Sequence, residues 1–213
     1  MTAREPGPGQ DALENLESLL AWRRDVRRFR TDPVPDMLVR HLLDLAALAP
    51  SVGNSQPWRF VRVTTPALRE AVAENFRAAN YAALAGYEGE KAALYQSLKL
   101  AGLDAPVHLA VFTDMEPRAG HGLGRRTMPE TLVHSTVCAI HTLWLAARAA
   151  GLGIGWLSIL DPERLARDLA MPAAWRFTGY LCVGYPEEEH LDPELERHGW
   201  QARNPAETFI FDA

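Results

Sequence analysis

The sequence predicts an α+β layered domain around a mixed sheet. Helical periodicities dominate the chain, and only four or five short apolar runs between them have strand character. The connections between those runs are long and contain helices, so successive strands are not joined as hairpins. At 213 residues, 47% of them hydrophobic, the chain can fill one core and is short for two.

Residues 1–11 carry two Pro, two Gly and mixed charges, which predicts a loose tail ahead of a single domain over 12–213. With Asp11 as N-cap, Leu13, Leu16, Leu19 and Leu20 recur at helical spacing up to Trp22. Pro33 and Pro35 precede a second amphipathic helix with Met37, Leu38, Leu42, Leu45 and Leu48, ended by Pro50. A polar loop, Ser51 to Pro57, leads into a strand at 58–63. A helix follows from Pro66 to about Phe76. Residues 77–100, rich in Ala, Tyr and Glu and broken by Gly86 and Gly89, suit exposed helices that form a lid.

A strand at 107–113 comes next, then a glycine- and arginine-bearing loop over 114–129. The strongest helix spans 130–149 and stops at Gly151. Strands are expected at 154–160 and 176–184, with a short helix between them that Asp161 caps and Pro162 opens. The tail ends in an apolar TFIF.

The net charge of −5 gives no basis for nucleic-acid binding, which needs a basic surface. No apolar run is long enough to span a bilayer, and the N-terminus lacks a signal-like stretch. Cys138 and Cys182 lie in apolar runs and read as small core residues in a reducing compartment. The expected location is the cytoplasm.

Five constellations could carry chemistry. In RRDVRRFR (23–30), five arginines crowd an otherwise acidic chain, and their forked donors match phosphate oxygens. The competing reading is a set of surface ion pairs. Arginines beside Asp25 favour its ionised form. In APSVGNSQPW (49–58), Ser, Asn and Gln could read the polar edge of a flat heterocycle, or merely connect helix to strand. GLGIGWLS (151–158) has the wrong element order for a dinucleotide fingerprint, and its alternating glycines suggest close backbone approach to something flat. Ser158 is expected inside that strand. His134, Cys138 and His141 share one helix face, and core packing accounts for them better than a metal does. A lone Arg203 near the C-terminus matters only if the tail folds back to the first arginines.

Taken together, RRDVRRF, APSVGNSQPWRF and GLGIGW resemble the FMN contacts of the nitroreductase-like flavoproteins. Asp25, YQSLKLAGLDAP (95–106), the 134–159 segment with Ser158, and PELERHGWQAR (193–203) resemble the 5,6-dimethylbenzimidazole synthase branch of that family. The resemblance implies a mainly antiparallel sheet flanked by helices and a domain-swapped type of homodimer with sites at the subunit interface. It implies that Arg23, Arg24, Arg27 and Arg203 hold the FMN phosphate and ribityl chain, with Asp25, Val26, Ser51, Leu98, Gly155, Trp156, Leu157 and Ser158 around the flavin. It implies Asp25 and Ser158 as catalytic residues. Reduced FMN would be the substrate, consumed with dioxygen, and a separate flavin reductase would supply it. Asn54-Ser55 stands where that branch carries a more apolar pair. The alternative is an NAD(P)H-dependent nitroreductase that keeps its FMN intact.

Overall fold

The computed structural model describes residues 9–212, so most of the expected N-terminal tail lies outside the described residues. Helix α1 (Gln10–Trp22) begins slightly before the expected Asp11, with Gly9 at its N-cap. Helix α2 (Asp36–Ala46) follows, and a 3₁₀ turn (Val52–Asn54) leads into β1 (Trp58–Arg62). Helix α3 (Pro66–Leu84) is longer than expected, because no breaker precedes Gly86. Then come α4 (Gly89–Ser97), β2 (Val107–Asp114) and α5 (Thr131–Ala149). The chain continues through β3 (Gly153–Leu157), α6 (Pro162–Asp168), β4 (Trp175–Gly184), a one-turn α7 (Glu194–Arg197) and a 3₁₀ turn (Ala206–Phe209). The α6 cap is as expected: the Asp161 carboxylate accepts from Glu163 N and Arg164 N, with Pro162 opening the first turn.

The four strands pair in the order β1-β2-β4-β3, and all three pairings are antiparallel. The mixed character comes from a single parallel bridge, Asp25 to Ile154, at the open edge of β3. Strand side chains alternate between two layers, as the pleat requires. Val107, Leu109, Val111, Leu181 and Val183 pack with α2 and α5. Ala110, Phe112, Tyr180, Cys182 and Leu157 face the opposite side, against Val72 of α3 and Leu165 of α6. Strand β2 is covered on both faces, which explains the apolar run from Leu109 to Phe112.

Packing corrects several sequence expectations. Met37 and Leu48 are exposed, and α2 buries Leu42 as expected, together with Val39 and Ala46. Cys182 is buried as expected, but Cys138 is exposed. His134 and His141 are exposed beside it, so that face of α5 is not core. Helix α5 is apolar around much of its circumference, and periodicity alone could not say which face meets the sheet.

Candidate functional site

The segment after α1 runs along the edge of β3. Val26 N donates to Ile154 O at 3.0 Å, and Trp156 N donates to Asp25 Oδ1 at 2.8 Å. The glycines of β3 permit this contact. A Cβ on Gly155 would lie 2.2 Å from Val26 O, and one on Gly153 would lie 2.5 Å from Val26 Cγ2. The close backbone approach expected of GLGIG is therefore to the chain's own segment. Gly151 serves differently: its φ of +74° ends α5. Trp156 packs its ring 6.2 Å from that of Trp144.

The arginine run divides by partner. Arg28 pairs with Glu194 at 2.8 Å and with Glu188 at 3.3 Å, and Arg30 pairs with Asp32 at 2.8 Å. These two are the surface ion pairs of the competing reading. Arg23, Arg24 and Arg27 instead line a cavity of about 140 Å³, together with Asp25, Glu194 and Arg203. The two ends of the chain thus converge. Arg24 is held by the carbonyls of Leu191 and Arg23. Arg27 Nε donates to Asp25 Oδ2 at 2.9 Å, and its Nη1 donates to Lys99 O at 3.2 Å. The Arg23 guanidinium lies 4.9 Å from the Trp144 ring centroid, and its buried Nε has no partner among the described residues.

Burial, then the charge of Arg203, lowers the pKa of both Arg23 and Arg24 from the ordinary arginine value. Like charges packed around an open space favour an anion placed among them. A phosphate would supply the missing acceptor at Arg23 Nε and offset the mutual repulsion. The residues present therefore fit a phosphate-bearing ligand.

The Asp25 carboxylate accepts from two donors, Arg27 Nε and Trp156 N. Burial raises its pKa above the usual aspartate value, outweighing Arg27 and the Trp156 N–H, which lower it. Its side chain keeps 33% of its surface open at the cavity. Ser158 departs from expectation: it follows the last residue of β3 and is exposed. It lines a second cavity, of about 810 Å³, with Met171, Trp175 and Phe177. The strand still connects the two groups. Ser158 is two residues beyond Trp156, or about 7 Å along an extended backbone.

Not every expected residue gathers here. Leu98 is buried, and its neighbour Lys99 supplies the carbonyl that holds Arg27. Ser51 accepts from Gln56 N at 3.1 Å, and the next residue, Val52, donates from its N to Ser135 Oγ at 3.0 Å. Ser135 lies nine residues before Trp144 on α5, about 13 Å from the ring beneath Arg23. The Ser51 loop does not reach the arginine cavity within one chain. Ser55 is buried under Gly120, so the Asn54-Ser55 pair faces the 114–129 loop. Sequence reasoning missed Glu194, which lies in α7, a turn too short for a periodic signal.

The nitroreductase family model matches residues 20–185. The chain belongs to the nitroreductase family. It is 56% identical over 193 residues to a 5,6-dimethylbenzimidazole synthase of Rhodospirillum rubrum, covering 90% of this chain and 92% of the relative. A synthase of the same name from Rhodobacter capsulatus is 53% identical over 199 residues, covering 93% and 96%. Among solved structures, an iodotyrosine deiodinase bound to FMN and 3-iodo-L-tyrosine superposes with a TM-score of 0.72. It is 24% identical and covers 90% of this chain and 96% of its own, a likeness that shows the fold alone. The expected family is thereby established, and with it an oxidoreductase.

Proposed function

We propose that this protein fragments reduced FMN with dioxygen, releasing 5,6-dimethylbenzimidazole from the ring and erythrose 4-phosphate from the ribityl chain. One observation carries the reading. Arginines from both ends of the chain surround a cavity with Asp25 in its wall, in a protein whose 48–56% identical relatives are named 5,6-dimethylbenzimidazole synthase. Bound reduced flavin supplies the redox chemistry, and the protein supplies geometry and proton handling.

Arg23, Arg24, Arg27 and Arg203 bind the phosphate and fix the ribityl chain beside Asp25. Burial opposes charge on Asp25, while Arg27 and the Trp156 N–H favour it. Held by Arg27 at one carboxylate oxygen and the Trp156 N–H at the other, Asp25 is the group that takes a proton from the ligand and returns it. Ser158 orients its hydroxyl toward the same ligand from the end of β3. Gly155, Trp156, Leu157 and Leu98 would hold the ring, and the 77–100 segment would cover it from water.

The working unit is a homodimer. Leu13, Leu16 and Leu20 of α1, Val137 of α5, and Phe209, Ile210 and Phe211 of the tail are exposed apolar groups that a second copy would cover. That copy would bring its own Ser51 loop to the flavin. A separate flavin reductase provides the reduced substrate.

The test is incubation with reduced FMN in air, followed by chromatography. Dimethylbenzimidazole should appear at the expense of FMN. Recovery of reoxidised, intact FMN alone rejects the reading, and NAD(P)H oxidation with intact FMN would identify a nitroreductase instead.

A further inference from the structure

Helix α4 is tied in two ways to the arginine cavity. At its C-terminal side, Lys99 O accepts from Arg27. Along its length, from Tyr87 just before it to Tyr95 near its end, an aromatic cluster joins it to the C-terminal segment. Tyr87 stacks on Tyr95 with ring centroids 4.9 Å apart, and the Trp200 ring meets them at 5.4 Å and 6.2 Å. The Lys91 ammonium lies 4.5 Å from the Trp200 ring centroid, and it donates to Trp200 O at 3.1 Å. Trp200 N in turn donates to Leu195 O at 2.8 Å.

Trp200 is the last residue before Arg203 whose side chain packs against α4, and Gln201 N adds only a long bond to Leu195 O at 3.5 Å. Every described residue from Gln201 onward is exposed. Yet Arg203 lines the cavity beside Arg23 and Arg24, whose like charges repel it, with the Asp25 and Glu194 carboxylates of the same wall offsetting that repulsion only in part. An exposed strand of tail does not hold a long cation in that position unaided, because its rotamer freedom and the repulsion both favour release.

We propose that Trp200 is a positioning residue for the phosphate of the ligand: clamped by Tyr87, Tyr95 and Lys91, it aims Arg203 into the cavity and makes anion capture depend on the seating of helix α4. This deepens the reading of the cavity as the FMN phosphate site and rests on it. Trp200 touches no ligand in this scheme and acts through Arg203. The coupling also runs the other way. A phosphate that draws Arg203 inward pulls on the clamp and holds α4 down, so a ligand without phosphate seats α4 less firmly.

The test compares FMN with riboflavin, which lacks the phosphate, by flavin fluorescence titration. Arg203→Ala should reduce the FMN-to-riboflavin affinity ratio about tenfold, the loss of one charge-assisted contact. An unchanged ratio there overturns the phosphate-site reading and the proposal with it. Given that loss, Trp200→Ala should lower the ratio to a similar extent, and Trp200→Phe, which keeps an aromatic face for the clamp, should restore it to within about threefold of the parent. The double variant should bind no worse than Arg203→Ala, since both changes remove one interaction. Equal losses for FMN and riboflavin, or additive losses in the double variant, overturn the positioning role while leaving the phosphate site intact. If Trp200→Ala does not fold, Lys91→Ala gives the same comparison, with about a threefold fall expected. An unchanged ratio in that variant overturns the proposal.

Discussion

Gly155→Ala isolates the contact on which the site is built. The new Cβ would lie 2.2 Å from Val26 O, a backbone atom that cannot rotate away. Restoring an ordinary separation of about 3.4 Å requires the 25–27 segment to move from β3 by about 1.2 Å. A shift of that size breaks the 3.0 Å bond from Val26 N to Ile154 O and the 2.8 Å bond from Trp156 N to Asp25. The first is worth about 1 kcal/mol and the second, charge-assisted, about 2 kcal/mol. A total near ~3 kcal/mol corresponds to a fall in Tm of roughly 6–12 °C for a chain of this size. Gly151→Ala is the control. Its φ of +74° carries backbone strain, but an added Cβ there meets nothing within 4 Å. That substitution should cost only about 1 kcal/mol. Thermal unfolding followed by circular dichroism measures both. If Gly155→Ala melts no lower than Gly151→Ala, the close approach does not hold Asp25 in place and the construction of the site is wrong.

Three further outcomes follow from the same geometry. Asp25→Ala should keep FMN binding within about threefold while product formation falls at least 100-fold, the scale of lost proton transfer; undiminished product would remove Asp25 from the mechanism. His108 is buried between Tyr180 Oη at 2.9 Å and Ala105 O at 3.0 Å, and burial lowers its pKa to about 4. A depressed pKa means its contribution is whole above the unfolded value of about 6.5 and lost as pH falls toward 4, about 3 kcal/mol in all. Denaturant titrations across that range should show the decline in the parent and a flatter profile in His108→Gln, and identical profiles would refute the assignment. Leu16→Glu on the exposed stripe of α1 should shift the protein toward monomer in sedimentation, with Tm falling in a concentration-dependent way, whereas an unchanged sedimentation coefficient would place the subunit contact elsewhere.

Local chemistry was legible in the sequence wherever it acts within a few residues. The Asp161-Pro162 cap, the stop at Gly151 and the apolar runs of β2 and β4 depend on backbone preferences and on alternation across a pleat. The arginine run was visible as a cluster, but its division was not. Arg28 and Arg30 take carboxylates, while Arg23, Arg24 and Arg27 face a cavity, and only the path of the segment along β3 separates them. The clamp between Lys91 and Trp200 spans 109 residues and leaves no periodic trace.

The amino-acid sequence by itself determined most of the elements and the family, because each follows from local spacing or from motifs kept in order. Tertiary structure decided the electrostatics. Neighbouring arginines favour the charged form of Asp25, yet in the folded chain burial outweighs them and raises its pKa. Solvent exclusion is a property of everything packed around a group, and that environment is assembled from α1, β3 and the C-terminal tail, segments far apart in the chain.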